Sequence, residues 1–143
     1  MTDIDLNVRP YLESDEDRVV ALWTAVFPTN APRNEPRAYI RRKLEIQRDL
    51  FLVGEWGDRI VATVVGGYDG VRGWIYHLAV AEDLRRKGIG RRMTEAAEKE
   101  LAKMGCPKVN LQIYSTNDGV VAFYEALGYR VEERISMGKV LDR

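Results

Sequence analysis

Leu78-Ala79-Val80-Ala81-Glu82-Asp83-Leu84-Arg85-Arg86-Lys87-Gly88-Ile89-Gly90-Arg91-Arg92 runs from an apolar segment through a basic, glycine-bearing loop into a helical pattern. Beyond the loop, Ile89, Met93, Ala97, Leu101 and Met104 step by four, four, four and three, which predicts one apolar helix face ended by Gly105 and Pro107. A strand that feeds a helix through glycines is built for phosphate. The first N–H groups of a helix lack intrahelical partners, and the macrodipole puts about half a positive charge there. Glycine lets an anion reach the bare backbone. Arg85, Arg86, Lys87 and Arg91 add cations around the same point. A P-loop would need GxxxxGK[ST], which the chain lacks. A dinucleotide fingerprint would need glycine where Met93 stands and an acid about 20 residues on, where Asn110, Leu111 and Gln112 occur.

Upstream, residues 74–80 are rich in aromatic and β-branched types and predict a strand, entered through Asp69-Gly70 and Gly73. The runs 51–53 and 60–65 flank Gly57-Asp58 as in a hairpin. A helix is expected over 36–47, preceded by a proline-rich loop over 28–36. Ser14 as N-cap and Asp17 as capping acid open a helix carrying Val19, Leu22, Trp23 and Val26, and Ile4, Leu6 and Val8 alternate as in a strand stopped by Pro10. Downstream, Val109, Leu111 and Ile113 alternate, and Asn117-Asp118-Gly119 starts a short helix with Gly128 as its C-cap. A strand pair over 129–131 and 135–140 is expected to close the chain. The order βααβββαβαββ predicts an α+β fold, with a mixed, mostly antiparallel sheet flanked by helices on both faces.

The 143 residues suit a single domain over 1–143. Twenty-two basic residues balance 22 acidic ones, which argues against nucleic acid and membrane surfaces as partners. The Arg41-Arg42-Lys43 run is expected to be a solvated face. No window approaches the roughly 20 apolar residues of a membrane span, and the acidic N-terminus lacks a signal-peptide core, so a cytoplasmic location is expected. The lone Cys106 leaves no internal disulfide and no cysteine-rich zinc site, so no metal is expected.

Arg85-x-x-Gly88-x-Gly90 after Leu78-Ala79-Val80 resembles the coenzyme A pyrophosphate loop of the GNAT acetyltransferases. Asn117, followed seven residues later by Tyr124 in Phe123-Tyr124-Glu125-Ala126-Leu127-Gly128-Tyr129, resembles that family's C-terminal motif. The likeness runs along nearly the whole chain and is closest to small bacterial YpeA-like members. It implies an acetyl-coenzyme A-dependent transferase acting on a primary amine of a small molecule or protein, by direct attack in a ternary complex. It also implies a coenzyme site of Leu78, Val80, Arg85, Arg86, Lys87, Gly88, Ile89, Gly90, Arg91, Asn117 and Tyr124. The pantetheine arm would lie between parallel strands splayed near Val80 and Val109. Alternatives are another acyl-coenzyme A donor, or a coenzyme A-binding module without catalysis, and a homodimer is left open.

Within that resemblance Tyr124 is the expected general acid for the departing thiolate, against the plainer reading of a core tyrosine. Asn117 holds the pantetheine or caps the following helix. The amine must be deprotonated, and His77, the only histidine, is the candidate base, with an ordinary pKa near 6.5 suited to the task. A structural histidine is the competing reading. Cys106 lies at the far end of the helix that begins near Gly88, which disfavours an acyl-cysteine route. The 28–36 loop is expected to shape the acceptor pocket.

Overall fold

The N-terminal alternation yields a short edge strand, β1 (Asn7–Pro10), paired antiparallel with β2 (Phe51–Trp56). Gly57, at φ 62°, and Asp58 form the expected tight turn into β3 (Arg59–Tyr68). The Asp69 carboxylate then accepts from the Val71 and Arg72 N–H groups at 2.8 and 2.9 Å, fixing the turn into β4 (Gly73–Val80). A two-residue β5 (Val109–Asn110) pairs parallel to β4. The order β1-β2-β3-β4-β5 is therefore antiparallel except for its last pair. This computed structural model describes residues 4–28, 31–115 and 117–141. They form two compact units that divide between Leu111 and Gln112.

In the first unit, helices α1 (Glu16–Val26) and α3 (Ile89–Lys103) pack on the sheet, and α2 (Pro36–Leu44) packs on α1 and reaches the strands through Tyr39 and Lys43. Trp23 Nε1 of α1 donates to Thr63 Oγ1 at 2.8 Å, whereas a Cβ placed on Gly54, next to Ala62, would meet Met93 of α3 at 3.1 Å. Consecutive strand residues point to opposite faces, so Ala62 and Thr63 put α3 and α1 on opposite sides of the sheet. Trp23, Phe51 and Ile40 fill one side, and Ile89, Met93, Ala97 and Leu101 the other. Met104, expected on that α3 face, follows the last helical residue and is exposed.

Several local expectations change. Ser14 does not cap α1. The acid that organises this corner is Asp15, whose fully buried carboxylate accepts from Leu12 N–H and pairs with Arg9 and Arg18 at 2.8 Å. Glu35 caps α2 through the Arg37 and Ala38 N–H groups, and α2 stops at Leu44, short of Gln47 at φ 54°. From there Gln47 reaches back to β3, its amide donating to Tyr68 O at 2.8 Å and accepting from Tyr68 N–H at 2.9 Å. Lys43 Nζ donates to Gly66 O at 2.6 Å. Because β2 begins opposite Val65, these two side chains hold the end of β3 where it has outrun its partner strand.

The second unit holds α4 (Asp118–Ala126). Asn117 Oδ1 accepts from Val120 N–H at 3.3 Å, and Gly128, at φ 98°, ends the helix while the Gly128 and Tyr129 N–H groups donate to Glu125 O and Tyr124 O. The expected strand pair over 129–131 and 135–140 is not formed. A tight turn at Glu132–Arg134 is present, but neither flank enters a ladder, and Val131, Ile135 and Met137 are exposed. Alternating apolar residues make a strand only when a neighbour takes up their N–H and C=O groups, and β5 itself stops at Asn110.

Candidate functional site

After Val80 the chain makes a 3₁₀ turn (Glu82–Leu84), then passes through Arg86 at φ 66° and Gly88 at φ 78° into α3. Gly88 is the N-cap of α3 and offers no side chain to its first N–H groups. A Cβ built there would meet nothing within 4 Å, so the space over this helix end is open. Ile89 is buried and contributes only backbone, and the Gly90 carbonyl accepts from Thr94 Oγ1. Arg85 and Arg86 are exposed and Lys87 is half-buried; among the described residues none of the three has a carboxylate partner. Arg91 pairs with Glu95 at 3.1 Å on the solvent side, and Arg92 is committed to Leu6 O. Open N–H groups beside unpaired cations fit a pyrophosphate.

β4 pairs with β5 only at Gly73 opposite Val109 and Trp74 opposite Asn110. Val109 therefore lies at the joined end of these strands, and the pairing stops at Asn110, well short of Val80. From Ile75 to Val80, which includes the half-buried Leu78 and Val80, β4 has no strand on that edge among the described residues. On its other edge the register slips: Val65 faces Tyr76 but Thr63 faces Ala79, so β4 carries an extra residue. His77, at φ 46°, sits in this bulge. Its carbonyl accepts from Thr63 Oγ1, and its ring lies 4.2, 4.7 and 4.7 Å from the rings of Tyr39, Trp23 and Phe27. Burial pulls its imidazole from the ordinary 6.5 down to about 4. The expected pKa near 6.5 is thus corrected: this aromatic cage keeps the ring neutral and makes it a weak base.

A cavity of about 540 Å³ opens on the α2 side of the sheet, walled by Tyr39, Lys43 and Gln47 from the α2 segment and by Gly67, Trp74 and Tyr76 from the strands. Arg42 and Asp69 also line it. Burial lowers Lys43 from 10.5 to about 8. None of residues 28 and 31–36 lines this cavity, and Thr29 and Asn30 lie outside the described residues. The sequence reading missed these walls by treating 41–43 as one solvated run. Arg41 does pair with Glu16 at 3.2 Å and Arg42 with Arg33 O, but Lys43 turns inward. The available signal was spacing, since Lys43 follows Tyr39 by four and Ile40 by three, on the apolar stripe of α2.

In the second unit, Tyr124 is 7% exposed, its ring edge-on to Phe123 and Tyr129 at 4.9 and 5.4 Å. Burial pushes its hydroxyl up to about 12, and no described residue hydrogen-bonds that hydroxyl. The Asn117 side chain serves as a helix cap, as one of its two expected roles requires.

The family model described as acetyltransferase (GNAT) family matches residues 16–129. A curated protein of Yersinia enterocolitica named as an acetyltransferase is 39% identical over 136 residues, covering 95% of this chain and 96% of its own. A similarly named protein of Pectobacterium atrosepticum is 40% identical over the same share of each. Among solved structures, the aminoglycoside 6'-N-acetyltransferase of Acinetobacter haemolyticus superposes with a TM-score of 0.77 at 15% identity, over 95% of this chain and 99% of that one. Glucosamine-6-phosphate N-acetyltransferase of Arabidopsis thaliana does so with a TM-score of 0.70 at 25% identity, over 96% and 99%. The two motifs, the loop between β4 and α3 and the α+β architecture agree with these matches, and the chain belongs to the acetyltransferase (GNAT) family.

Proposed function

We propose that the chain is an N-acetyltransferase that moves the acetyl group of acetyl-coenzyme A to a primary amine of a small molecule or protein, within a ternary complex. The observation that carries this is the uncapped start of α3, opened by left-handed Gly88 and flanked by Arg85, Arg86 and Lys87, which have no carboxylate partner among the described residues. A pyrophosphate there would gain backbone donors and cations that no described carboxylate occupies. Leu78 and Val80, on the unpaired edge of β4, offer backbone groups to the pantetheine arm. We read residues 1–143 as one transferase domain, because the family match crosses the boundary between the two units.

In the reaction the neutral amine attacks the thioester carbonyl, a C–N bond forms, the C–S bond breaks, and the sulfur leaves as a thiolate. Tyr124, with a hydroxyl that stays protonated at neutral pH, is the proposed hydrogen-bond donor to that sulfur. The amine proton leaves through water, since His77 is caged and weakly basic. The solved relatives named above act on amines, aminoglycosides in one case and an amino sugar phosphate in the other, which favours an amine here as well.

Calorimetry with acetyl-coenzyme A, followed by thiol release in an amine library, tests the proposal. Tight binding with amine-dependent thiol release is expected. Binding without release for any amine would instead mark a coenzyme A-binding module, and faster release from a longer acyl donor would reassign the donor.

A further inference from the structure

We propose that the α2 cavity selects acceptors that carry an anion: the amine acetylated here also bears a carboxylate or phosphate, which seats against the Lys43 ammonium. This deepens the acetyltransfer reading and rests on it. Lys43 is half-buried in the cavity wall and has one hydrogen-bond partner among the described residues, Gly66 O at 2.6 Å. An ammonium has three protons, so two donors remain. Among the described residues no carboxylate pairs with it. The one acid that lines the cavity, Asp69, already accepts from Val71 and Arg72 N–H, and those bonds hold its carboxyl below the usual range. Arg42 brings a second cation to the same cavity.

An ammonium withdrawn from water without a counter-charge is unfavourable, and here the lowered pKa of Lys43 records it. An anionic ligand supplies the missing charge. Apart from Gln47, the rest of the wall is mostly apolar and aromatic, with Tyr39, Trp74 and Tyr76 around a volume suited to a compact organic body. Gly67 leaves room beside the ammonium, since a Cβ there would stand 4.0 Å from Lys43 Nζ and 3.8 Å from Tyr76. Trp74 and Tyr76 occupy the first half of β4, and the phosphate loop follows its last residue, roughly 15 to 20 Å along the strand. A coenzyme laid along β4 from that loop directs its reactive end towards this cavity.

Matched acceptors test the inference with the full chain: 4-(2-aminoethyl)benzoate against its carboxamide, and tyramine phosphate against tyramine. In the wild type each anionic amine should show a KM at least tenfold below its neutral partner, and the two pairs separate carboxylate from phosphate. Lys43→Met should erase that difference by raising the anionic KM while kcat changes less than twofold, and Lys43→Arg should restore part of it. Gly67→Leu, which fills the cavity, should raise the KM of both members of a pair. Equal KM values within both wild-type pairs would overturn the inference and leave acetyltransfer standing. A Lys43→Met loss confined to kcat would also overturn it, making Lys43 a proton acceptor. Calorimetry of the same amines without coenzyme keeps the two readings apart. Anion-dependent binding that Lys43→Met abolishes supports the cavity even if no acetyl transfer is seen, and absence of such binding removes it.

Discussion

Tyr124 is held edge-on between Phe123 and Tyr129, and its hydroxyl at about 12 lies well above an ordinary thiol near 8.5. Complete proton transfer to the thiolate is then uphill by on the order of 5 kcal/mol, so a hydrogen bond that strengthens as sulfur gains charge is the better description of its proposed role. Tyr124→Phe keeps both ring contacts and removes that donor. We expect kcat to fall by about 10²–10³-fold with little change in acetyl-coenzyme A affinity, measured by single-turnover kinetics and calorimetry. Wild-type kcat in this variant would leave Tyr124 as a packing residue. His77→Phe, which suits the cage of Trp23, Phe27 and Tyr39, should preserve both the plateau rate and the shape of the pH–rate profile.

At the scale of elements, the entry to α3 carries the sharpest expectation. Gly88→Glu meets no protein atom near its Cβ, so bulk against the protein is not its defect, contrary to what its place in a tight loop suggests. The defects are a left-handed backbone, roughly 1–2 kcal/mol for a residue with a Cβ, and a negative charge over the N–H groups proposed to receive the pyrophosphate. Coenzyme binding should vanish in calorimetry while the melting temperature drops only slightly, and Gly88→Ala should retain most of the binding. Gly73 behaves differently, because a Cβ there would lie 2.7 Å from Cys106 Sγ and 3.2 Å from Leu101. Gly73→Ala is expected to destabilise by about 1–3 kcal/mol in urea unfolding, and Cys106→Ala in the same chain should recover much of the loss. Independent, additive effects of the two changes would mean that they do not share this contact.

The α3 loop was legible in the sequence because its signals are local. Gly88, Gly90 and the cations are neighbours, and the four-residue step from Ile89 to Leu101 is satisfied by one helix. The position of Val109 and the inward turn of Lys43 were not, because each is set by register between segments far apart in the chain. The β4 bulge is a case in between. Strict alternation would send Tyr76 and His77 to opposite faces, and one extra residue cancels that rule at the position where His77 meets α1 and α2.

For the molecule as a whole, His77 and Asp15 are two groups through which acid lowers stability. His77 titrates near its ordinary 6.5 when unfolded and at about 4 when folded, so the unfolded chain holds more protons between those values. Stability should be full above pH 6.5 and decline by about 2–3 kcal/mol as pH falls to 4. Asp15 acts at lower pH. Burial alone would raise its carboxyl, but hydrogen bonds from Arg9 and the Leu12 N–H, with the charges of Arg9 and Arg18, hold it below its ordinary 3.8. Its contribution is present above 3.8 and is lost as pH falls further. Urea titrations at pH 7, 5.5 and 4.5 should show the first decline in wild type and a flatter profile in His77→Phe. An equal decline in that variant would assign it elsewhere.

The end of β3 has a consequence for how the protein behaves in a crowded solution. A strand that outruns its partner leaves a row of backbone donors and acceptors that can template a foreign chain. Here Lys43 and Gln47 occupy Gly66 O and both backbone groups of Tyr68, so that row is already taken by side chains of the same molecule. Gln47→Ala would uncover it beside the apolar Val64-Val65 pair, and light scattering at high concentration should then reveal sheet-type aggregation that the parent chain resists.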